Sequence, residues 1–320
     1  EIYKLTVSSV SDCAGNVIGA LNEAPLGLAK APEVGDLVIN EILFNPVSGG
    51  ADFVELYNKS NKIIQLFGWL LANVDLEENP DSLINVSPIV PERYSLYPNQ
   101  YLVLTENINQ VRSHYGRCNN LPSGGFVTTD LPTYDDDEGV IAITEPFRIV
   151  VLDQVHYFDD WHYSLLRDEN GVSLERIDVN APSQDSNNWQ SASEGVCFAT
   201  PGYQNSQFFA PTDNGKNVSV EPTSFSPNGD GFKDFTTIQY EFDQTGFTIN
   251  ISIFDSRGQE VRQLVQSKLA GNSGNFKWDG ILENGEKARL GIYVVFVEAY
   301  DLEGNREVWK ETVVVGGNLD

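Results

Sequence analysis

The side chains best placed for chemistry lie in the loop Asn228-Gly229-Asp230-Gly231-Phe232-Lys233-Asp234. Oxygen-bearing side chains stand at its first, third and seventh positions, Asn228, Asp230 and Asp234, and its glycines permit a sharp turn. Hard cations prefer such oxygen ligands, so the spacing predicts a Ca²⁺ site with the weak affinity of an extracellular module. The loop is shorter than an EF-hand loop and lacks its final bidentate Glu. An Asx-rich turn whose side chains cap the backbone is the favoured one of the two interpretations.

A second group of acids forms the run Asp135-Asp136-Asp137-Glu138. Side chains alternate between the two faces of an extended chain, so four adjacent carboxylates cannot all face one ion. A metal site and a solvated loop are the two interpretations of this run, and the pattern favours the solvated loop.

Two histidines, His156 and His162, flank the segment Phe158-Asp159-Asp160-Trp161, which makes a His/Asp metal cluster conceivable. Their spacing fits no established metal site, and a strand end followed by an aromatic-anchored turn is the favoured interpretation. The sequence has no His-Glu-x-x-His, Gly-x-Ser-x-Gly, phosphate-loop or dinucleotide motif. We therefore predict no catalytic residue.

Aromatic side chains are concentrated in or near predicted loops, at Tyr94, Tyr97, Tyr134, Trp161 and Tyr163. Exposed tyrosines and tryptophans stack on sugars and mark protein contacts. Core anchoring explains any one of them equally well. A ligand surface and a set of core anchors therefore both remain open.

Composition restricts the class of protein. The 320 residues carry a formal net charge of −26, which repels phosphate backbones and anionic membranes and so disfavours nucleic-acid binding. The length fits two domains and a fragment of a third. No run of ~18 apolar residues occurs, so no membrane span is predicted in this piece. Because methionine is absent even at position 1, we expect the chain to begin within a longer precursor.

Three cysteines, Cys13, Cys118 and Cys197, are too few for a disulfide scaffold and too scattered for a zinc site. If one bridge forms, we expect it to join Cys118 and Cys197, which lie in the same predicted domain. Free buried thiols are the alternative.

Alternating polar and apolar residues, punctuated by Asp, Asn, Gly, Ser and Pro, predict short strands throughout. A short helix is predicted at Glu106–His114, capped by Thr105. Besides Tyr3–Val10 and the alternating run from Leu37 to Phe44, the predicted strands are Phe53–Tyr57, Ile63–Leu71, Tyr101–Leu104, Val140–Ile143, Ile149–Phe158, Val172–Ile177, Val218–Glu221, Thr237–Phe242, Phe247–Phe254, Gln259–Val265, Gly274–Trp278, Gly291–Tyr300 and Val308–Val315.

Residues 35–207 resemble the lamin tail domain, an immunoglobulin-like sandwich also found in bacterial secreted proteins. The middle segment, residues 75–135, is longer than the short loops of that family. It is predicted to be an insertion that carries any function specific to this chain. The matching residues are Asn40-Glu41-Ile42, Asn45-Pro46, Phe53-Val54-Glu55-Leu56-Tyr57-Asn58, Leu66, Gly68-Trp69, Leu174-Glu175-Arg176, Asn188-Trp189, Thr200-Pro201-Gly202-Tyr203 and Asn205.

Glu41 and Glu55 lie in predicted strands of this domain, and at least one of them is expected to face inward. A buried carboxylate needs a partner, and Arg176 can supply a bidentate one. Paired carboxylates also suggest glycosidase chemistry. The resemblance to the lamin tail domain implies that these acids are features of the fold instead.

Residues 218–317 resemble the immunoglobulin-like domains of the flagellar hook-capping type and the C-terminal domains of gliding-motility-associated proteins. In Bacteroidetes such domains often end the cargo of type IX secretion. The last residues, Val313–Asp320, lack the basic final strand usual for a sorting signal, which favours a spacer. The resemblance lies in Phe225-Ser226-Pro227-Asn228-Gly229-Asp230-Gly231, Trp278-Asp279-Gly280 and Gly291-Ile292-Tyr293.

The sequence thus predicts an all-β protein of tandem immunoglobulin-like β-sandwiches. Residues 1–20 resemble the last strand of a preceding immunoglobulin-like domain, and residues 21–34 and 208–217 are predicted linkers. We expect a non-catalytic module of a larger secreted or cell-surface bacterial protein, a spacer with an adhesion-like contact surface. Its expected partners are other domains of the precursor and a surface or outer-membrane protein or a glycan. The alternatives are an accessory region of a secreted nuclease or phosphoesterase, and type IX secretion cargo held by the outer-membrane machinery.

Overall fold

The structure, a computed structural model, describes residues 2–19, 22–74, 82–118, 120–145, 150–163, 166, 168–208, 217–242, 247–270, 273–301 and 304–317. The chain divides into an N-terminal unit, residues 1–159 and 201–204, and a C-terminal unit, residues 160–200 and 205–320. Within the described ranges, no helix has the length and hydropathy needed to cross a bilayer. Strands dominate both units, which confirms the predicted all-β class of tandem immunoglobulin-like sandwiches.

The N-terminal unit contains twelve strands and one helix among its described residues. The helix is α1 (Ile108–Tyr115). The strands are β1 (Ile2–Thr6), β2 (Glu23–Gly27), β3 (Leu37–Leu43), β4 (Phe53–Asn58), β5 (Ile64–Gln65), β6 (Leu70–Val74), β7 (Leu83–Pro88), β8 (Ser95–Leu96), β9 (Tyr101–Thr105), β10 (Phe126–Thr128), β11 (Glu138–Thr144) and β12 (Val151–Phe158).

Two sheets form most of this unit. In one, the strands β10, β9, β4 and β3 lie side by side, and in the other the order is β12, β11, β6, β7. β3 is buried at all seven positions because apolar residues occupy both of its faces. The sheets are linked by Phe44, directly after β3, whose ring stacks on Tyr157 of β12 with centroids 4.5 Å apart.

The predicted insertion, residues 75–135, is partly built into these sheets. β9 pairs with β4 on one side and with β10 on the other, and β7 pairs with β6. The reason is burial, because Leu102, Val103 and Leu104 are fully buried. Residues 75–81 lie outside the described residues.

The helix begins later than the sequence predicts, and Asn107 caps it in place of Thr105. The Asn107 side chain accepts hydrogen bonds from the backbone N–H groups of Asn109, at 3.1 Å, and Gln110, at 3.2 Å. Thr105 ends strand β9, and its hydroxyl donates to the carbonyl of Asp52 at 2.7 Å. The predicted cap is therefore wrong, because Thr105 is the last residue of strand β9 and its hydroxyl bonds to Asp52.

The segment predicted as the first linker, residues 21–34, contains strand β2. β2 pairs antiparallel with β1, with Tyr3 opposite Leu26 and Leu5 opposite Ala24. Both strands are exposed over almost their whole length. The origin of β1 in a preceding domain remains a prediction, as does the second linker, whose residues 209–216 lie outside the described residues.

The described part of the C-terminal unit forms a second sandwich preceded by the short pair β13 and β14. Its strands are β13 (Leu174–Arg176), β14 (Trp189–Ser191), β15 (Val218–Glu221), β16 (Ser224–Phe225), β17 (Thr236–Glu241), β18 (Phe247–Asp255), β19 (Glu260–Ala270), β20 (Ser273–Trp278), β21 (Gly291–Tyr300) and β22 (Arg306–Val315).

This sandwich has a three-stranded sheet, β15-β17-β20, and a five-stranded sheet, β16-β22-β21-β18-β19. Along β21 every second residue is buried, as expected of a strand with one face on a core. At the centre lies Trp278, fully buried, with its indole N–H donating to the Ile281 carbonyl at 3.1 Å. Its ring meets Phe225 and Tyr293 edge-on, which joins the three motifs that carry the sequence resemblance.

Candidate functional site

The predicted calcium loop is closed by Asp234, which is 6% exposed. Its Oδ1 accepts the backbone N–H of Gly229 at 2.7 Å, and its Oδ2 accepts that of Gly231 at 2.7 Å. Burial raises the pKa of this carboxyl, while the two backbone N–H groups lower it. Both carboxylate oxygens therefore hold the backbone of the turn.

The other two predicted ligands also bond within the loop. Asn228 accepts the backbone N–H of Asp230 at 3.2 Å and donates its amide to the Asp230 carboxylate at 2.8 Å. Asp230 in turn accepts the backbone N–H of Phe232 at 2.8 Å. This is the hydrogen bonding of successive Asx turns. In the described part of the chain no three acidic, histidine or cysteine side chains are grouped to hold a metal, and Ca²⁺ at this loop remains a prediction.

The same loop packs closely on residues 193–195 within the C-terminal unit. The Gly229 carbonyl accepts the backbone N–H of Glu194 at 3.0 Å. A Cβ at Gly231 would lie 2.0 Å from Ser193 Oγ, and a Cβ at Gly195 would lie 2.7 Å from the carbonyl oxygen of Asp230. Two glycines are thus required for close approach of the backbone. We call this contact the loop joint.

Two longer side chains make hydrogen bonds near the loop joint. The Tyr163 hydroxyl donates to the Pro227 carbonyl at 3.4 Å. Lys277, on β20, donates to the carbonyl of Trp189 at 2.7 Å and to the side chain of Gln190. Burial lowers the pKa of the Lys277 ammonium to about 8.

A small recess lies beside the loop joint. Tyr163, Phe198, Gln207 and Asp234 line it together with residues 190–193. The Asp234 carboxylate is committed to the loop backbone, so the recess offers a ligand few free polar groups.

Glu175 on β13 is a buried acid that no sequence motif marks as a site, and it organises the chain before the second sandwich. It is fully buried and accepts hydrogen bonds from Thr200 Oγ1 at 2.6 Å, Ser206 Oγ at 2.7 Å and the Gln207 backbone at 2.9 Å. Burial raises its pKa and these hydrogen bonds oppose that rise. A Glu within a buried strand was the available signal.

Arg176, the next residue, is 1% exposed. Its guanidinium donates to the Ala181 carbonyl at 3.3 Å and to Ser183 Oγ at 2.7 Å, and it lies 5.0 Å from the ring centre of Trp189. Pairing with Glu41 or Glu55 remains a prediction.

The predicted buried acids of the N-terminal unit are indeed buried, because Glu41 and Glu55 are both 0% exposed. One oxygen of Glu55 accepts the side-chain amide of Asn40 at 2.8 Å, and the other accepts the Gly202 backbone N–H at 2.6 Å. Glu55 therefore holds Gly202 against the sheet.

The two histidines occupy different environments. His162 is 5% exposed, its Nδ1 lies 3.0 Å from Ser191 Oγ, and burial lowers its pKa to about 4. His156 lies on β12 with its Nε2 3.3 Å from Glu138 of the acidic run. Each histidine thus has its own hydrogen-bonding partner.

The candidate ligand aromatics also divide between the units. In the C-terminal unit, Trp161 stacks on Trp189 with centroids 6.3 Å apart. In the N-terminal unit, Tyr97 donates to the Pro25 carbonyl at 3.2 Å, and Tyr134 is only 7% exposed. Tyr134 is thus a core residue, so at this position core anchoring holds and a ligand surface does not.

The cysteines follow the favoured prediction. Cys118 and Cys197 each take part in a disulfide, whereas Cys13 is a free, exposed thiol.

Comparison with protein families gives two matches. Residues 30–154 match the model of the lamin tail domain, and residues 219–314 match the model of the CHU_C type IX secretion signal domain. The first match begins slightly before the predicted boundary and ends before the Leu174–Arg176 and Thr200–Tyr203 motifs. Among curated proteins no significant match is found. The secretion signal domain indicates a secreted or cell-surface protein.

Several solved structures are similar at low identity. FlgD from P. aeruginosa is 18% identical over 31% of this chain and 69% of its own, with a TM-score of 0.23. CopC from Methylosinus trichosporium OB3b is 18% identical over 27% of this chain and 79% of its own, with a TM-score of 0.20. Dimeric latent PorU from Porphyromonas gingivalis is 12% identical over 88% of this chain but 20% of its own, with a TM-score of 0.26. The two family matches fall in the predicted order, and the chain therefore contains a lamin tail domain followed by an immunoglobulin-like C-terminal domain of the type IX secretion signal family.

Proposed function

We propose that this chain is a non-catalytic structural module of a larger secreted protein, a stiff spacer that also presents a contact surface. The loop joint is the observation that carries the proposal. A flexible tether would need no close approach between residues 193–195 and the loop at 229–231, whereas a stiff connection does. Gly195 and Gly231 allow that approach, and the Tyr163 hydroxyl donates a hydrogen bond to Pro227, just before the loop.

The absence of catalysis is part of this proposal. Glycosidase chemistry needs two carboxylates free to face a substrate. Glu55 and Glu175 are fully buried and accept hydrogen bonds that hold the fold. His162, a buried neutral imidazole bonded to Ser191, is equally committed. Because Glu55, Glu175 and His162 are buried and hydrogen-bonded within the fold, these observations support a structural role for them.

An activity assay tests this part. The purified chain should release no product from phosphodiester, peptide and glycoside substrates, at any substrate concentration reachable in solution. Turnover that is lost in Glu55→Gln or His156→Ala, with the fold retained by circular dichroism, would refute the proposal.

The contact surface is assigned to the outer part of residues 82–135, for a protein or glycan partner at the cell surface. Ile84 on β7 is 40% exposed, and Tyr97 is partly exposed beside β8. Apolar and aromatic side chains at a surface favour such contacts. Replacing Ile84 with Asp and Tyr97 with Ala in the same chain should abolish binding of the labelled protein to bacterial outer membranes or to a glycan array. Unchanged binding by the double variant would move the contact elsewhere.

Export through the type IX pathway is the second candidate, favoured by the family match at residues 219–314. In a bacterium with that pathway, the full chain behind a periplasmic leader should reach the surface. A chain ending at residue 216 should stay in the periplasm. Equal export of both would leave the C-terminal sandwich as a spacer only.

The remaining alternative is an accessory region of a secreted nuclease or phosphoesterase. A metal-dependent hydrolase domain encoded upstream of Glu1 in the same gene would favour it. In that case the chain would position the hydrolase, and the loop joint would serve the same mechanical purpose.

A further inference from the structure

We propose that the N-terminal unit binds a hard divalent cation, Ca²⁺ by its chemistry, where Asp52 and Glu106 meet the loop of residues 129–137. This site is separate from the predicted calcium loop at residues 228–234. It follows from two observations: strands β4 and β9 and that loop bring acidic residues to one corner of the unit, and two oxygens there are buried without a hydrogen-bond partner.

The strand register brings the first two acids together. Phe53 at the start of β4 pairs with Thr105 at the end of β9, so the next residues outward, Asp52 and Glu106, stand side by side. The Thr105 hydroxyl fixes this end of the ladder by donating to the Asp52 carbonyl at 2.7 Å.

The loop of residues 129–137 covers this corner. Its start is held by the Thr129 backbone N–H, which donates to the Thr105 carbonyl at 3.1 Å. The Leu131 backbone N–H donates to Glu106 Oε1 at 3.4 Å. Its far end is held by the Tyr157 hydroxyl, which donates to the Asp135 carbonyl at 2.9 Å. Tyr134 and Asp136 lie between these anchors.

Two oxygens in this corner are buried without a hydrogen-bond partner. One is the hydroxyl of Tyr134, whose residue is 7% exposed, and the other is Oδ1 of Asp52. Buried polar atoms in native proteins are almost always satisfied, and an orphaned one calls for a water or an ion. Two together beside acids favour an ion, because a carboxylate oxygen needs a positive partner.

The charges point the same way. Burial, and then the charges of Asp136 and Glu106, raise the pKa of Asp52 to about 7. Burial, and then Tyr157 and Asp52, raise the pKa of Tyr134 well above its ordinary value. Within the described residues, none of the three carboxylates forms a salt bridge. A cation would relieve this repulsion.

The affinity should be weak. The three carboxylates are not grouped closely enough in the described structure to bind one ion together, so carbonyl oxygens and waters must complete its shell. Calcium accepts such mixed oxygen ligands, and extracellular sites of this kind have dissociation constants of roughly 10⁻⁴–10⁻³ M.

The test is a calcium titration of the full chain at pH 8, starting from chelator-treated protein, read by displacement of tyrosine-sensitised terbium luminescence. Wild type should bind with a dissociation constant of roughly 10⁻⁴–10⁻³ M. Asp52→Asn should weaken binding at least tenfold. The matched control Asp230→Asn, in the other loop, should bind as wild type does. Asp136→Asn, on the exposed rim, should also weaken binding and serves if Asp52→Asn fails to fold.

Several results would overturn the site. One is an absence of saturable binding at 10 mM calcium, roughly tenfold above the weakest expected constant, which would assign the orphaned oxygens to a bound water. Another is wild-type binding in both Asp52→Asn and Asp136→Asn. A third is binding lost only in Asp230→Asn, which would place calcium at residues 228–234 instead.

Discussion

Replacing Gly231 with Ala should weaken the C-terminal unit far more than replacing Gly229 with Ala. Both glycines have left-handed backbone conformations, with φ of +85° and +80°. They belong to the same loop and differ in their surroundings. A Cβ at Gly229 would meet nothing within 4 Å, whereas a Cβ at Gly231 would lie 2.0 Å from Ser193 Oγ and 2.2 Å from Ser193 Cβ.

The magnitudes follow from these two terms. An alanine in the left-handed region costs about 1–2 kcal/mol, and both variants share that cost. Gly231→Ala adds an overlap that neither the loop nor Ser193 can avoid without moving, and such overpacking costs about 1–3 kcal/mol. We therefore expect a loss of about 1–2 kcal/mol for Gly229→Ala and about 2–5 kcal/mol for Gly231→Ala.

A compensating change makes the prediction specific. Ser193→Gly removes both clashing atoms and leaves Ser193 Cα at 3.7 Å, an ordinary contact distance. In the double variant, Ser193→Gly with Gly231→Ala, about 1–3 kcal/mol should be recovered relative to the sum of the single variants. Urea unfolding followed by tryptophan fluorescence measures this, because Trp189 and Trp278 are fully buried in this unit.

Two outcomes would show that Ser193 does not set the cost at Gly231. Equal stability losses at Gly229 and Gly231 would mean that the loop does not pack on residue 193. Strictly additive losses in the double variant would mean that the cost at Gly231 has another source.

The remaining predictions concern other parts of the chain. Arg176→Ala should destabilise the C-terminal unit by about 2–4 kcal/mol, because it removes a buried guanidinium together with two of its hydrogen bonds and its contact with Trp189. An unchanged free energy of unfolding in urea would contradict this. In chelator, Asp52→Asn should leave stability unchanged at pH 4 and raise it by about 1–2 kcal/mol at pH 8. The folded protein raises the pKa of the Asp52 carboxyl to about 7, so the cost of ionising it grows as the pH rises from the unfolded pKa to about 7, and solvent screens part of that cost. A gain in stability that does not depend on pH would show that ionisation of Asp52 is not its cause. Native protein should react with a thiol reagent only at Cys13, and reduced, unfolded protein at all three cysteines; extra native reactivity would argue against the bridge.

The sequence predicted the strands well where apolar residues alternate between turn residues. β4, β15 and β21 were placed within a residue or two for that reason. Strand β2 was missed because Glu23–Gly27 contains Pro and Gly and forms only through its pairing with β1. The helix cap was assigned to Thr105 because Thr and Asn are both good caps, and only the strand ladder decides between them.

The chemistry of the loop at residues 228–234 was less predictable. Its spacing suits calcium and Asx turns equally, and the hydrogen bonds of Asp234 to Gly229 and Gly231 could be seen only in the fold. The loop joint brings together residues far apart in sequence, and the sequence explains Gly231 by the turn alone, so it gives no sign of the contact with Ser193. Asp52 was passed over because a single acid before a strand carries no pattern. Its position opposite Glu106 depends on the register of β4 and β9.

If the C-terminal unit is one stiff body, the distance between two points far apart on its surface must have a narrow distribution. Spin labels at Ser186 and Leu290, both exposed, can be introduced after Cys13→Ser removes the free thiol. Pulsed electron paramagnetic resonance should give one narrow distance distribution for the otherwise native chain, and a broader one for Gly231→Ala. A broad distribution in the native chain would show that the C-terminal unit is not stiff.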